Sequence, residues 1–184
     1  MILYFNFILS FWSIFCSSHL DSACDLIYWD ENRPLVWSDF KGIPDSLVLI
    51  NGRLPSAVST TYIEVQLDSS GNYYVNTIFE QSESWVTNKS EMLLSHEQGH
   101  FDLTEIYSRK LRKLILDSLN SPSFDINRAY IESIDSMDYV HNLYDKQTAY
   151  GSIDVMNKNW QSVIYNRLIE LNDYRQEVNN CYGP

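Results

Sequence analysis

The pattern of apolar and polar positions changes near residue 88. Before it, apolar residues come in short runs broken by turn residues; after it, they recur every three or four positions. Thr60 to Leu67 (TTYIEVQL) and Tyr73 to Phe79 (YYVNTIF) are β-branched and aromatic runs separated by Asp68-Ser69-Ser70-Gly71, which predicts a hairpin. Leu26 to Trp29 and Val48 to Ile50 are weaker strand candidates, and Pro34, Pro44 and Pro55 punctuate this half. Asn88 and Glu91 have the spacing of a capping box. The apolar positions Leu93, Leu94, Phe101, Ile106, Leu111, Leu114 and Ile115 then predict a helix to about Leu119. Ser121-Pro122 predicts the start of a second helix, since Pro fits the first helical turn. It would run through Ile131, Met137 and Leu143 to about Tyr150, with Gly151 as its stop. A third helix is expected from Asp154 to Asn172, carrying Trp160, Ile164 and Leu168. The class is α+β: a small N-terminal sheet followed by three helices.

Residues 2–15 (ILYFNFILSFWSIF) depart from both patterns, being almost wholly apolar and uncharged. A run of about 14 residues is short for a bilayer span and suits the apolar region of an export signal. With the small residues Cys16, Ser17 and Ser18 behind it, the expectation is a signal peptide over 1–18 and one domain over 19–184, secreted or periplasmic. A buried helix or a retained anchor is the alternative. Of three cysteines, Cys24 and Cys181 survive such cleavage, and an even pair in an oxidising compartment predicts a disulfide between them. Two unpaired thiols are the alternative. Hydrophobic residues are 45% of the chain, enough for a real core. The net charge of −11 argues against nucleic acid or an anionic membrane surface as partner.

The first predicted helix contains His96-Glu97-Gln98-Gly99-His100, an HExxH motif. Residues at i and i+4 lie roughly 40° apart around a helix and one turn along it, so both imidazoles can reach one zinc ion. Glu97 sits beside that face as candidate general base for a zinc-activated water. Gly99 costs about 1 kcal/mol against Ala inside a helix, so a close-packed or substrate-facing position is expected there. A third protein ligand is needed. The metzincin pattern would place it six residues after His100, where Ile106 stands. Counting the remaining histidines nominates His141, whose plainer reading is an ordinary helix residue. Asp102 and Glu105, turned away from the two histidines, read as groups behind the ligands or as solvated ones.

These residues resemble a bacterial family of unknown function predicted to be secreted zinc-dependent proteases. The resemblance spans most of residues 19–184. It rests on Leu35-Val36-Trp37-Ser38-Asp39-Phe40-Lys41-Gly42, on Ser84-Trp85-Val86, on the string His96-Glu97-Gln98-Gly99-His100-Phe101-Asp102 with Glu105 and Arg109, and on Tyr144 to Gly151 with Trp160 and Gln161. It implies a zincin-like fold, a Zn2+ cofactor and a peptide or protein substrate. The family motif often reads Tyr-Asp-x-x-Thr-x-His, and its last residue is the implied third ligand. Here that position is Tyr150. The expected ligand set is therefore His96, His100 and Tyr150, with His141 as the alternative. The departure also motivates a second functional expectation: a secreted binding or structural module that keeps the fold without catalysis. Trp29, Trp37, Phe40, Trp85 and Trp160 read as core, and Asp39 as a turn cap or an arginine partner.

Overall fold

A computed structural model describes residues 25–45, 49, 52, 54–118, 121 and 123–176. The apolar N-terminal run, all three cysteines, and Val48 and Ile50 lie outside the described residues, so the signal-peptide and disulfide expectations and the ends of the Val48 to Ile50 strand candidate fall there too. The class is mixed α+β. The strands are β1 (Leu26–Tyr28), β2 (Ala57–Val58), β3 (Thr61–Leu67), β4 (Tyr73–Glu80) and β5 (Trp85–Val86); the helices are α1 (Glu91–Ser118), α2 (Ile126–Thr148) and α3 (Asp154–Glu170). One antiparallel sheet has the order β1-β4-β3, and β2 pairs with β5 in a separate two-stranded ribbon. That ribbon pairs Ala57 with Val86 and Val58 with Trp85, too short to leave a period in the sequence. No described helix is long and apolar enough to cross a membrane.

The β3–β4 hairpin forms where its turn chemistry predicts. The Asp68 carboxylate accepts from the backbone N–H groups of Ser70 and Asn72, both at 2.8 Å, and Gly71 supplies a φ of +86°. Two helix starts differ from expectation. In α1 the Ser90 hydroxyl, and not Asn88, takes the Leu93 N–H at 3.1 Å. In α2 the cap is Asp125, whose carboxylate accepts from Asn127 and Arg128, so the helix begins at Ile126 rather than at Ser121-Pro122. Asp is among the strongest N-caps, because its side chain satisfies backbone donors that have no intrahelical partner.

The 28-residue α1 is the axis of the fold and buries residues on several faces. Tyr107, Leu111 and Ile115 pack with Ile63 and Val75 of the sheet and with Ala129 and Met137 of α2. Phe101 joins Ile27, Trp29, Leu35, Phe40 and Phe79 on another side. Leu103 and Ile106 meet Tyr144 of α2 and Ile164 of α3 on a third. Trp29, Phe40 and Trp85 are core as expected, while Trp37 and Trp160 are half-buried.

Buried polar contacts hold α1 in register. Glu105 accepts from Arg109 Nε at 2.8 Å, Arg112 Nη1 at 2.9 Å and the Thr77 hydroxyl at 2.6 Å. Arg109 also donates to the Leu168 carbonyl at 2.6 Å, tying α1 to α3. Asp102 accepts from Trp29 Nε1 at 2.8 Å and Gln98 Nε2 at 2.9 Å, and the Gln98 carbonyl oxygen takes the Leu35 N–H at 2.7 Å. Burial, only partly offset by these two donors, raises the Asp102 carboxyl above its usual range. Gln98 and Asp102 thus fasten the 29–35 segment onto the motif helix. Asp39 does what its position predicts, accepting from the Val36 N–H and the Arg33 guanidinium.

Candidate metal centre

Helical spacing on α1 puts His96 and His100 on one face, with ring centroids 4.8 Å apart. The α2 helix crosses that face and delivers Asp145. Its Oδ1 lies 3.1 Å from His96 Nε2 and 3.0 Å from His100 Nε2. Ligand atoms of His96, His100 and Asp145 all lie within 4.8 Å of one another, and the three could hold a metal ion.

The outer nitrogens suit that role. For Nε2 to ligate, Nδ1 must carry the proton and find an acceptor. His100 Nδ1 faces His141 Nδ1 at 3.2 Å. His96 Nδ1 faces the Thr148 hydroxyl oxygen at 3.5 Å, whose own proton goes to the Tyr144 carbonyl at 2.7 Å. Tyr144 stacks on the His96 ring, with centroids 4.5 Å apart, and its hydroxyl donates to the His96 carbonyl at 3.2 Å. Gly151 closes the far side: a Cβ there would sit 3.0 Å from His96 Cβ.

The electrostatics follow from burial and contact. Burial pushes Asp145 up, but hydrogen bonds from His100 and His96 and their charge outweigh it and hold the carboxyl below its usual range. Burial pushes His100 down, and the Asp145 hydrogen bond and charge, with Glu97 behind them, lift it above its ordinary value. His141 is pushed down to about 3, first by burial and then by the His100 charge, with Asp145 opposing. A neutral His141 leaves its Nδ1 free to accept from His100.

The motif glutamate is held separately. Glu97 is buried, and its Oε2 accepts from the Ser59 hydroxyl at 2.7 Å. His96, Glu97, His100, His141, Asp145 and Tyr150 all line one cleft of about 850 Å³, and the segment 54–59 forms another part of its wall.

The expected site residues therefore gather in one place but divide by role. His141 contacts a ligand candidate, His100, and is not within the three-residue cluster. Tyr150 lines the cleft from the turn after α2, with a left-handed φ of 54°. Asp145 is the residue that sequence reasoning overlooked as a donor. Its signal was present: it lies four residues after His141 and directly after Tyr144, inside the stretch that carried the resemblance. Asp102 and Glu105 turn away from the two histidines as expected, but neither stands behind a ligand candidate or is solvated: Asp102 is held by Trp29 and Gln98, and the buried Glu105 by Arg109 and Arg112. No family model, curated protein or solved structure matches the chain.

Proposed function

We propose that this protein is a zinc-dependent metallopeptidase of zincin-like architecture, exported by its apolar N-terminal segment. His96, His100 and Asp145 hold the zinc, and Glu97 is the general base. The observation that carries the reading is Asp145 Oδ1 at 3.1 and 3.0 Å from the two Nε2 atoms. Zinc bonds of about 2.0–2.1 Å in tetrahedral array place neighbouring ligand atoms about 3.3 Å apart. The spacing between the carboxylate oxygen and each nitrogen is close to that edge. Two imidazoles and one carboxylate are also a ligand set of known catalytic zinc sites. With Asp145 as third ligand, Tyr150 in place of the family's histidine no longer counts against activity. The His-Glu-Gln-Gly-His-Phe-Asp string and its resemblance to predicted secreted zinc proteases support the same reading.

Held by His96, His100 and Asp145, zinc would supply a water with its pKa lowered to about 7 and a Lewis acid for the substrate carbonyl. Glu97 would take the proton of the attacking water and pass it to the leaving amine. The Ser59 hydroxyl keeps the Glu97 carboxylate turned into the cleft. The 54–59 wall is uncharged and apolar along much of its length, which suits the apolar side-chain surface of a peptide.

The test is metal analysis of purified protein beside His96→Ala and Glu97→Gln, with cleavage of a broad peptide library by each. Stoichiometric zinc is expected in the wild type and Glu97→Gln and not in His96→Ala. Hydrolysis in Glu97→Gln should fall by about 100-fold or more. A zinc-loaded Glu97→Gln protein with full activity would remove the mechanism. A zinc-loaded wild type that cleaves nothing would favour the binding module.

A further inference from the structure

We propose that Asp138 makes the cleft select peptides bearing Lys or Arg near the scissile bond. The inference rests on the peptidase reading and names its substrate class. Asp138, His141, Asn142 and Asp145 fall at i, i+3, i+4 and i+7 of α2, a single helical stripe, and all four line the cleft. Three carboxylates line it, and no described lining residue is Lys or Arg. Two of the three are engaged: Asp145 with both histidines, Glu97 with Ser59. A bound dication offsets two negative charges, so one remains.

That charge has a definite address. The Asp138 carbonyl accepts from Asn142 Nδ2 at 2.7 Å, but its carboxylate has no partner among the described residues. Burial, with repulsion from Asp135, raises its carboxyl above the usual range. A substrate cation would offset both by stabilising the charged carboxylate. The rise from Asp138 to Asp145 is about 10 Å along the helix. An extended peptide advances about 3.3 Å per residue. A long basic side chain one or two residues from the scissile bond spans the remainder. The 54–59 part of the wall offers no charge to compete.

The experiment uses zinc-loaded protein and blocked hexapeptides with Lys, Gln or Glu placed in turn at each position. At one fixed position kcat/KM should favour Lys over Gln by about threefold to fivefold, and Glu should be disfavoured, as for a half-exposed ion pair. The preference should shrink at high salt. In Asp138→Asn the Lys-to-Gln ratio should fall to about one, and Asp138→Lys should favour Glu; zinc content monitors folding in both. Equal turnover of the three peptides by wild type, or a lysine preference that survives Asp138→Asn, overturns the proposal alone. If the wild type cleaves nothing, the peptidase reading fails, and binding of the same peptides to zinc-loaded Glu97→Gln decides the role of Asp138. No preference for the Lys peptide in that binding, or one unchanged by adding Asp138→Asn, overturns it.

Discussion

Gly99 leaves room for Tyr144: a Cβ on Gly99 would come within 2.9 Å of the Tyr144 ring carbon Cζ, and closer still to its hydroxyl. The glycine inside the HExxH helix is thus a packing device. It lets α2 approach α1 closely enough for Tyr144 to stack on His96 and for the next residue, Asp145, to meet both histidines.

Gly99→Ala should therefore destabilise the protein even though Ala is the better helix former by about 1 kcal/mol. Overpacking of about 1–3 kcal/mol is expected to outweigh that gain. Zinc affinity should fall with it, because the α1–α2 spacing sets the distance of Asp145, the proposed third ligand, from the two histidines. Urea denaturation and zinc titration measure the two effects. Adding Tyr144→Phe should restore part of the stability, since the hydroxyl is the atom nearest the new methyl. A more stable Gly99→Ala protein would contradict the packing role.

Asp145→Asn should weaken zinc binding by about 100-fold or more, as expected for loss of an anionic ligand. Tyr150→Phe should leave zinc affinity within about twofold, because in the proposed site the Asp145 oxygen completes the donor set. His141→Ala should fall between, about tenfold, since it removes the acceptor for His100 Nδ1. Competition against a chromogenic chelator at fixed pH ranks the three. Zinc loss in Tyr150→Phe equal to that in Asp145→Asn would return the third ligand to the turn after α2.

Ser59→Ala should lower kcat by about threefold to tenfold with zinc stoichiometry unchanged. The hydroxyl touches Glu97 at 2.7 Å and none of the three metal-ligand candidates. A charge-assisted hydrogen bond of this kind contributes about 1.5–3 kcal/mol, part of which a water can replace. Steady-state kinetics with metal analysis separates this from damage to the site. Unchanged kcat would mean that α1 alone aims Glu97.

Metal-free protein should be most stable near pH 6.5. Against the effect of burial, Asp145 lifts His100 above 6.5; that contribution is complete below 6.5 and is lost as pH rises through the raised folded value. Burial and the His100 charge hold His141 at about 3, so only the unfolded chain gains that proton and stability falls as pH drops below 6.5. Asp145, held below 3.8 by its histidine partners against the effect of burial, adds an acid loss only at lower pH still, while the Asp102 carboxyl, raised by burial, makes the acid decline shallower. Urea titrations in chelator between about pH 4 and 8 should show the maximum. His141→Gln should flatten its acid side and keep the alkaline decline. A steady rise across the whole range would contradict this ordering.

Elements with strong local causes were legible in the amino-acid sequence. The hairpin followed from β-branched runs around an Asx turn, and the three helices from apolar period. The pairing of His96 with His100 and the place of Glu97 followed from helix geometry alone. These are properties of residues a few positions apart, which backbone geometry fixes before any tertiary contact forms. Local signals failed where two caps competed: Ser90 over Asn88, and Asp125 over Ser121-Pro122, because the residue that satisfies the orphan N–H groups sets the start. Only the tertiary structure brought Asp145 to the histidines, Ser59 to Glu97 and His141 behind His100. Each joins residues about 40 to 50 positions apart, and the joining depends on how closely α2 and the 54–59 segment settle on α1. That distance is a packing outcome, decided for α2 by the space at Gly99 and Gly151 and the ring of Tyr144, and no periodicity along the chain encodes it.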